Sequence, residues 1–109
     1  MPFTIHLAKT EAEARIISAV LAIDYQVHQR IFDSTKAEFH DLPLFYHLSD
    51  FYQDAIFLES QVLSFRAELD QARARIFDSR ATDVLSVLSK LCDRAFKRRL
   101  SIFGFSEGR

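Results

Sequence analysis

Asp24 and His28 stand four residues apart, His47, Asp50 and Asp54 follow one another at helical spacing, and Glu59 lies a turn beyond. Carboxylates and imidazoles so spaced are the ligands from which helical bundles build carboxylate-bridged metal centres. That chemistry needs its ligands on a buried seam, and the seam positions here are Leu, Phe, Ala and Val. Neither a Glu-x-x-His nor a His-Glu-x-x-His run is present. The set reads first as a solvated helix flank. A carboxylate/His metal-binding helical-bundle enzyme is the second alternative to the main reading. His6 and His40 fall in terminal and connector sequence and read as ordinary polar positions.

Nucleophilic chemistry has little to work with. Cys92 lies between Leu91 and Asp93 on an apolar stripe, where a buried thiol acts as a small hydrophobe and the neighbouring carboxylate disfavours a thiolate. No Gly-x-Ser-x-Gly elbow occurs, and with two Gly and two Pro in 109 residues there is no Gly-rich phosphate cradle. The expectation is a protein that is not an enzyme, with no cofactor and no metal. A single cysteine excludes an internal disulfide and fits a reducing compartment. MPFTIHLAK has no charged lead or unbroken apolar stretch, so no signal peptide is expected. No window approaches the roughly 20 apolar residues of a membrane span, and the expected location is cytoplasmic.

Charge is unevenly spread. The net is −1, yet residues 1–70 hold five Lys/Arg against eleven Asp/Glu, and residues 71–109 nine against four. The positive end concentrates in Arg94, Lys97, Arg98 and Arg99, which with Phe103 and Phe105 form one candidate partner surface. A nucleic-acid-binding regulator would set such cations on phosphates and Phe96 or Phe103 against bases. The slightly acidic whole argues against it, and the dipole of a helix end explains the cluster equally well. The same stretch also suits a membrane surface, or a head-to-tail contact between two copies.

The elements that must position these residues read as helices. Leu44, Leu48, Phe51, Ala55, Leu58, Val62, Phe65, Leu69, Ala72 and Ile76 keep a four-three spacing, the two-per-seven seam of a coiled-coil-like helix. Thr10 and Glu13 make a capping box ahead of the stripe Ile16, Val20, Ile23, Val27 and Ile31. Val84, Leu88, Leu91 and Ala95 carry a last helix, expected to leave at Gly104. The expected fold is all-α: one domain over 1–109, an antiparallel bundle with helices at about 10–32, 43–77 and 82–103. A connector at 33–42 and a flexible tail at 104–109 complete it. Thr35 and Glu38 repeat the capping spacing, so a short fourth helix in the 35–48 region is an option.

Gln26-x-x-x-Arg30-Ile31-Phe32-Asp33-Ser34 recurs as Gln71-x-x-x-Arg75-Ile76-Phe77-Asp78-Ser79, best explained as a shared way to end a helix: an apolar plug, then Asp-Ser bonding freed backbone groups. An unbroken 44–76 helix of about 48 Å would overhang a domain on the order of 34 Å across, and eleven phenylalanines are hard to bury in three helices. A homodimer across the middle helices answers both points. Phe45, Tyr46, Tyr52, Ile56, Phe57 and Leu63 flank the seam and form the first candidate partner or dimer surface. The functional expectation is a non-catalytic adaptor, regulator, small chaperone or inhibitor that binds itself and another, unidentified protein through helical surfaces.

Overall fold

A computed structural model describes residues 2–32 and 39–107. It corrects the all-α expectation: the chain is mixed α/β, built on a four-stranded antiparallel sheet. The order along the chain is β1 (Phe3–Ala8), α1 (Glu11–Ile16), β2 (Leu21–Ile23), α2 (Tyr25–Phe32) and α3 (Pro43–Tyr46), then β3 (Ala55–Phe57), a 3₁₀ turn at Glu59–Gln61, α4 (Val62–Ala74), α5 (Ser79–Arg98) and β4 (Ser101–Ser106). In space the strands run β2-β1-β4-β3, so the two ends of the described chain pair at the centre of the sheet.

The central pair follows from period-two patterning. Phe3, Ile5 and Leu7 point to one face, where Leu7 opposes Ile102 and Ile5 opposes Gly104. Thr4, His6 and Ala8 point to the other, opposite Phe105, Phe103 and Ser101. Every residue of β1 is buried. The first face packs into the main core under α4 and α5, with Phe65, Leu69, Leu85, Leu88 and Cys92 closing over Ile5 and Ile102. The second makes a smaller cluster of Ala8, Ala14, Phe103 and Phe105, with Ala14 supplied by α1. Gly104 is the position that lets Phe3 lie flat on the sheet: a Cβ there would sit 2.6 Å from its ring.

Each expected helix is cut or trimmed. The capping serves only α1, where Thr10 Oγ1 accepts from the Glu13 N–H at 3.2 Å. Ile17 is already extended, φ −96° and ψ 160°. Ile16, Ile17 and Val20 stay exposed, while Leu21–Ile23 joins β1 as an edge strand. Asp24 then restarts the chain as α2, its Oδ1 accepting from the Val27 N–H at 2.8 Å. The 43–77 helix is interrupted by turns at 47–53, where Asp50 Oδ1 accepts from the Tyr52 N–H at 2.8 Å, the side-chain mimic of a backbone turn. The last helix spans Ser79–Arg98 and is followed by β4, which replaces the expected flexible tail through Ser106.

The seam was nonetheless a true burial pattern. Leu48, Phe51, Ala55, Val62, Phe65, Leu69, Ala72 and Ile76 are all buried, although turns, a strand, one helix and the loop after it share them, while Leu44 is half-buried and Leu58 exposed. Spacing reported which residues face the core, not the backbone that carries them. With the long helix gone, so is the overhang that argued for a homodimer: the molecule measures 35 × 29 × 21 Å. Most of the phenylalanines are accommodated as well, Phe57 stacking on Phe65 with ring centroids 3.8 Å apart and Phe45 packing on Phe32 and Phe39. The Thr35/Glu38 capping pair, with Asp33 and Ser34, lies outside the described residues.

The repeated nonapeptide has a structural use in its second copy. Asp78 caps α5, its Oδ1 accepting from the Ala81 N–H at 3.0 Å, and its Oδ2 pairs at 2.7 Å with Arg30 of the first copy. These contacts, the N–H bond foremost, hold the Asp78 carboxyl below its ordinary pKa. Ile31 and Ile76 are buried plugs, but Phe77 is 94% exposed.

Candidate functional site

The turn after β3 and the C-terminal end of α5 meet along an open groove of about 860 Å³. Leu58 and Leu63 come from the first wall, and Phe96 from the second. They are 55%, 51% and 52% exposed, a half-covered apolar floor on a chain that otherwise packs most of its large side chains. Lys97 and Arg99 stand on the basic rim, with Glu59 on the opposite wall. Two local contacts fix the walls: Ser101 Oγ accepts from the Glu59 N–H at 3.0 Å, and Gln61 Oε1 accepts from the Leu58 N–H at 3.0 Å.

Arg99 is held in an unusual way. It follows α5 in the left-handed conformation, φ 56° and ψ 49°, where glycine is the ordinary choice. The Leu100 N–H bonds to the Ala95 carbonyl at 2.8 Å and the Arg99 N–H to the Phe96 carbonyl at 3.3 Å, the paired closure of a Schellman motif. A side chain at this position costs on the order of 1 kcal/mol in backbone strain, and the side chain present lines the groove. Among the described residues, none of Arg94, Lys97, Arg98 and Arg99 forms an ion pair, whereas Arg15, Arg30, Arg66, Arg73 and Arg75 all do.

The two expected surfaces are thus regrouped. Leu63 from the first meets Lys97 and Arg99 from the second in this groove. Phe45 and Phe57 are fully buried core residues and leave the list of contact candidates. Phe103 and Phe105 are buried between the sheet and α1, with the Arg15 guanidinium 4.2 Å above the Phe105 ring. Of the aromatics near the basic end, Phe96 alone is exposed enough to meet a partner. Ile56 is exposed on β3, and Tyr46 on α3 lies beside His40. Phe96 follows Ala95 of the last helix's apolar stripe. Its exposure depends on the chain turning at Arg99, which no glycine announces.

Tyr52 belongs elsewhere. With Tyr25, His28, Gln29, Ser49, Asp50 and Phe51 it lines a second cleft, of about 270 Å³, between α2 and the 47–53 turns. His28 is buried there and donates through Nε2 to the Leu48 carbonyl at 2.6 Å.

The carboxylates and histidines do not assemble a metal site. Asp24 and Asp50 serve backbone N–H groups, and Asp54 accepts from the Ser106 N–H at 2.8 Å while pairing with Arg15. Among the described residues no three His, Cys, Asp or Glu side chains gather for an ion. His6 is buried on the second sheet face, its Nε2 3.0 Å from Thr4 Oγ1, rather than an ordinary polar position. Burial, reinforced by Asp93, pushes the Cys92 thiol up to about 12, so it remains protonated at neutral pH. Among the described residues no helix is long and apolar enough to cross a membrane.

The fold and its surface therefore define a mixed α/β domain with an apolar, basic-rimmed groove at one end. Compared with known proteins, the chain matches no family model, no curated protein and no solved structure.

Proposed function

We propose that the chain is a non-catalytic interaction protein whose groove receives an acidic segment of another protein, one presenting apolar side chains along one face. The observation that carries this reading is the pairing of a half-exposed Leu58, Leu63 and Phe96 floor with cations that form no ion pair among the described residues. Apolar anchors supply affinity when desolvated, and rim cations select the sign of the partner and speed encounter. An acidic partner matches the rim, and an open groove of about 860 Å³ leaves room for a segment. Arg99 supports the reading, because a strained backbone carrying a charged side chain into a surface groove is retained most readily where that side chain is used. The nucleic-acid alternative loses Phe103 to the interior and keeps Phe96 as its one exposed stacking side chain.

The test is site-specific photocrosslinking. A benzoylphenylalanine at Leu63 is irradiated in extract of the native host, with the same probe at exposed Gln71 as control. The expected result is a discrete adduct whose crosslinked peptide is acidic and apolar on one face, and which disappears when Lys97→Glu and Arg99→Glu are combined. An adduct indifferent to that charge reversal, or one formed equally from Gln71, overturns the reading. So does an adduct to a second copy of the chain, which assigns the groove to self-association.

A further inference from the structure

The second cleft is chemically the reverse of the groove. Tyr25 opens α2 and Tyr52 lies in the turn before β3, their ring centroids 6.4 Å apart and their planes tilted by 37°. Each ring stays 46% exposed. Phe51 lies behind both, edge-on to Tyr25 at 5.3 Å and to Tyr52 at 5.5 Å. Asp50 shares the cleft. Its Oδ1 accepts the Tyr52 N–H, which fixes the carboxylate beside the rings, and among the described residues it has no cation partner. Asp41, Asp54, Asp70, Asp78 and Asp93 all pair with arginines. Gln29 Nε2 donates to the Tyr25 hydroxyl and holds that ring in place.

Two ring faces carry negative quadrupole charge, and a carboxylate carries a full one. Together they favour a bulky, weakly hydrated cation over a metal ion, which keeps its water. We propose that the Tyr25–Tyr52 cleft binds an alkylated ammonium group. A volume of about 270 Å³ suits a head group of that size, and the Gln29 and Asp50 contacts set the walls before the ligand arrives. The inference stands on other residues than the groove and does not depend on it.

The test is an NMR titration of amide signals with choline and with 3,3-dimethylbutan-1-ol, the same shape without the charge. Choline is expected to give saturable shifts at Tyr25, Asp50 and Tyr52, with binding about fivefold tighter than the alcohol. Tyr52→Leu and Asp50→Asn should each weaken choline, while Tyr52→Phe, which keeps the ring, should not. The spectrum of each variant reports its fold in the same tube. A peptide carrying trimethyllysine separates the two sources of this group: tighter binding than choline assigns a modified protein side chain, equal binding a free metabolite. Equal affinity for choline and the alcohol, shifts that survive Tyr52→Leu, or no saturation with any probe would overturn the proposal.

Discussion

The two ends of β4 are built alike and dressed oppositely. At one end Ser101 ties the strand to the turn at Glu59, and at the other the Ser106 N–H ties it to Asp54. Over the roughly 17 Å between them, the surface changes from cations over aliphatic and phenyl carbon to tyrosines beside an aspartate, neither charge having an ion-pair partner among the described residues. Beneath both ends lies the same sheet and the same apolar core. Conformation is thus shared across the molecule, while the recognition proposed for each surface is local, set by a few side chains that the core does not need.

Substitutions that separate core from surface sharpen that contrast. Phe57 is buried face to face with Phe65, so Phe57→Ala should cost about 3–5 kcal/mol in urea unfolding. Phe57→Asp, which buries an unpaired charge, should leave no folded protein. Leu63→Ala, half-exposed in the groove, should stay within about 0.5 kcal/mol of the parent in the same assay. If Leu63→Ala destabilised as much as Phe57→Ala, the groove would be core, and the contrast would fail.

Gly104→Ala comes next. Its Cβ would meet the Phe3 ring at 2.6 and 2.7 Å, and the ring is pinned within the core, so a loss of about 1–3 kcal/mol is expected. Phe3→Leu should recover part of it in the double variant, as a steric cause requires. No recovery would mean that Gly104 is needed for its backbone instead.

A smaller effect belongs to Asp78, whose folded pKa is depressed by the Ala81 N–H and then by Arg30. A depressed carboxylate stabilises the fold above the ordinary pKa of 3.8, and that contribution is lost as pH falls through the lower folded value. Asp78→Asn should therefore weaken the protein at neutral pH, with the gap to the parent closing in acid. A gap that widens on acidification, read by circular dichroism in denaturant, would contradict this sign.

How much of this was legible in the sequence depends on the segment. The Thr10 cap and the helical stripe of Leu88, Leu91 and Ala95 read correctly, because local hydrogen bonds and helical period fix them. Val84 of that stripe is only partly buried, and Leu85 beside it is the core position. The strands did not. Phe3-Thr-Ile-His-Leu and Ser101-Ile-Phe-Gly-Phe alternate and are rich in β-branched and aromatic residues, a period-two signal that was available. Their pairing spans nearly the whole chain, from Phe3 to Ser106, and no local pattern names such a partner. β3 escaped because Ala55 fits the helical seam and a strand alike, whereas Phe57, off the seam of a helix, turns inward only in the strand. For the sites, the residue types were visible at Leu63, Lys97, Arg99 and Tyr52, but their neighbours were not. Tyr52 meets Tyr25 only because a turn breaks the seam at Asp50, and Arg99 faces Leu63 only because a non-glycine residue takes a left-handed turn.

That turn offers the most direct measurement. Arg99→Gly removes the strain and the charge together. Unfolding free energy and acidic-partner crosslinking at Leu63 are measured on the same preparation. Relief of left-handed strain, less the added freedom of glycine in the unfolded chain, should raise stability by about 0.5–1 kcal/mol. Crosslinking should fall severalfold at the same time. A variant that is more stable and crosslinks as well as the parent would show that Arg99 is not held there for binding and would contradict the account of the groove.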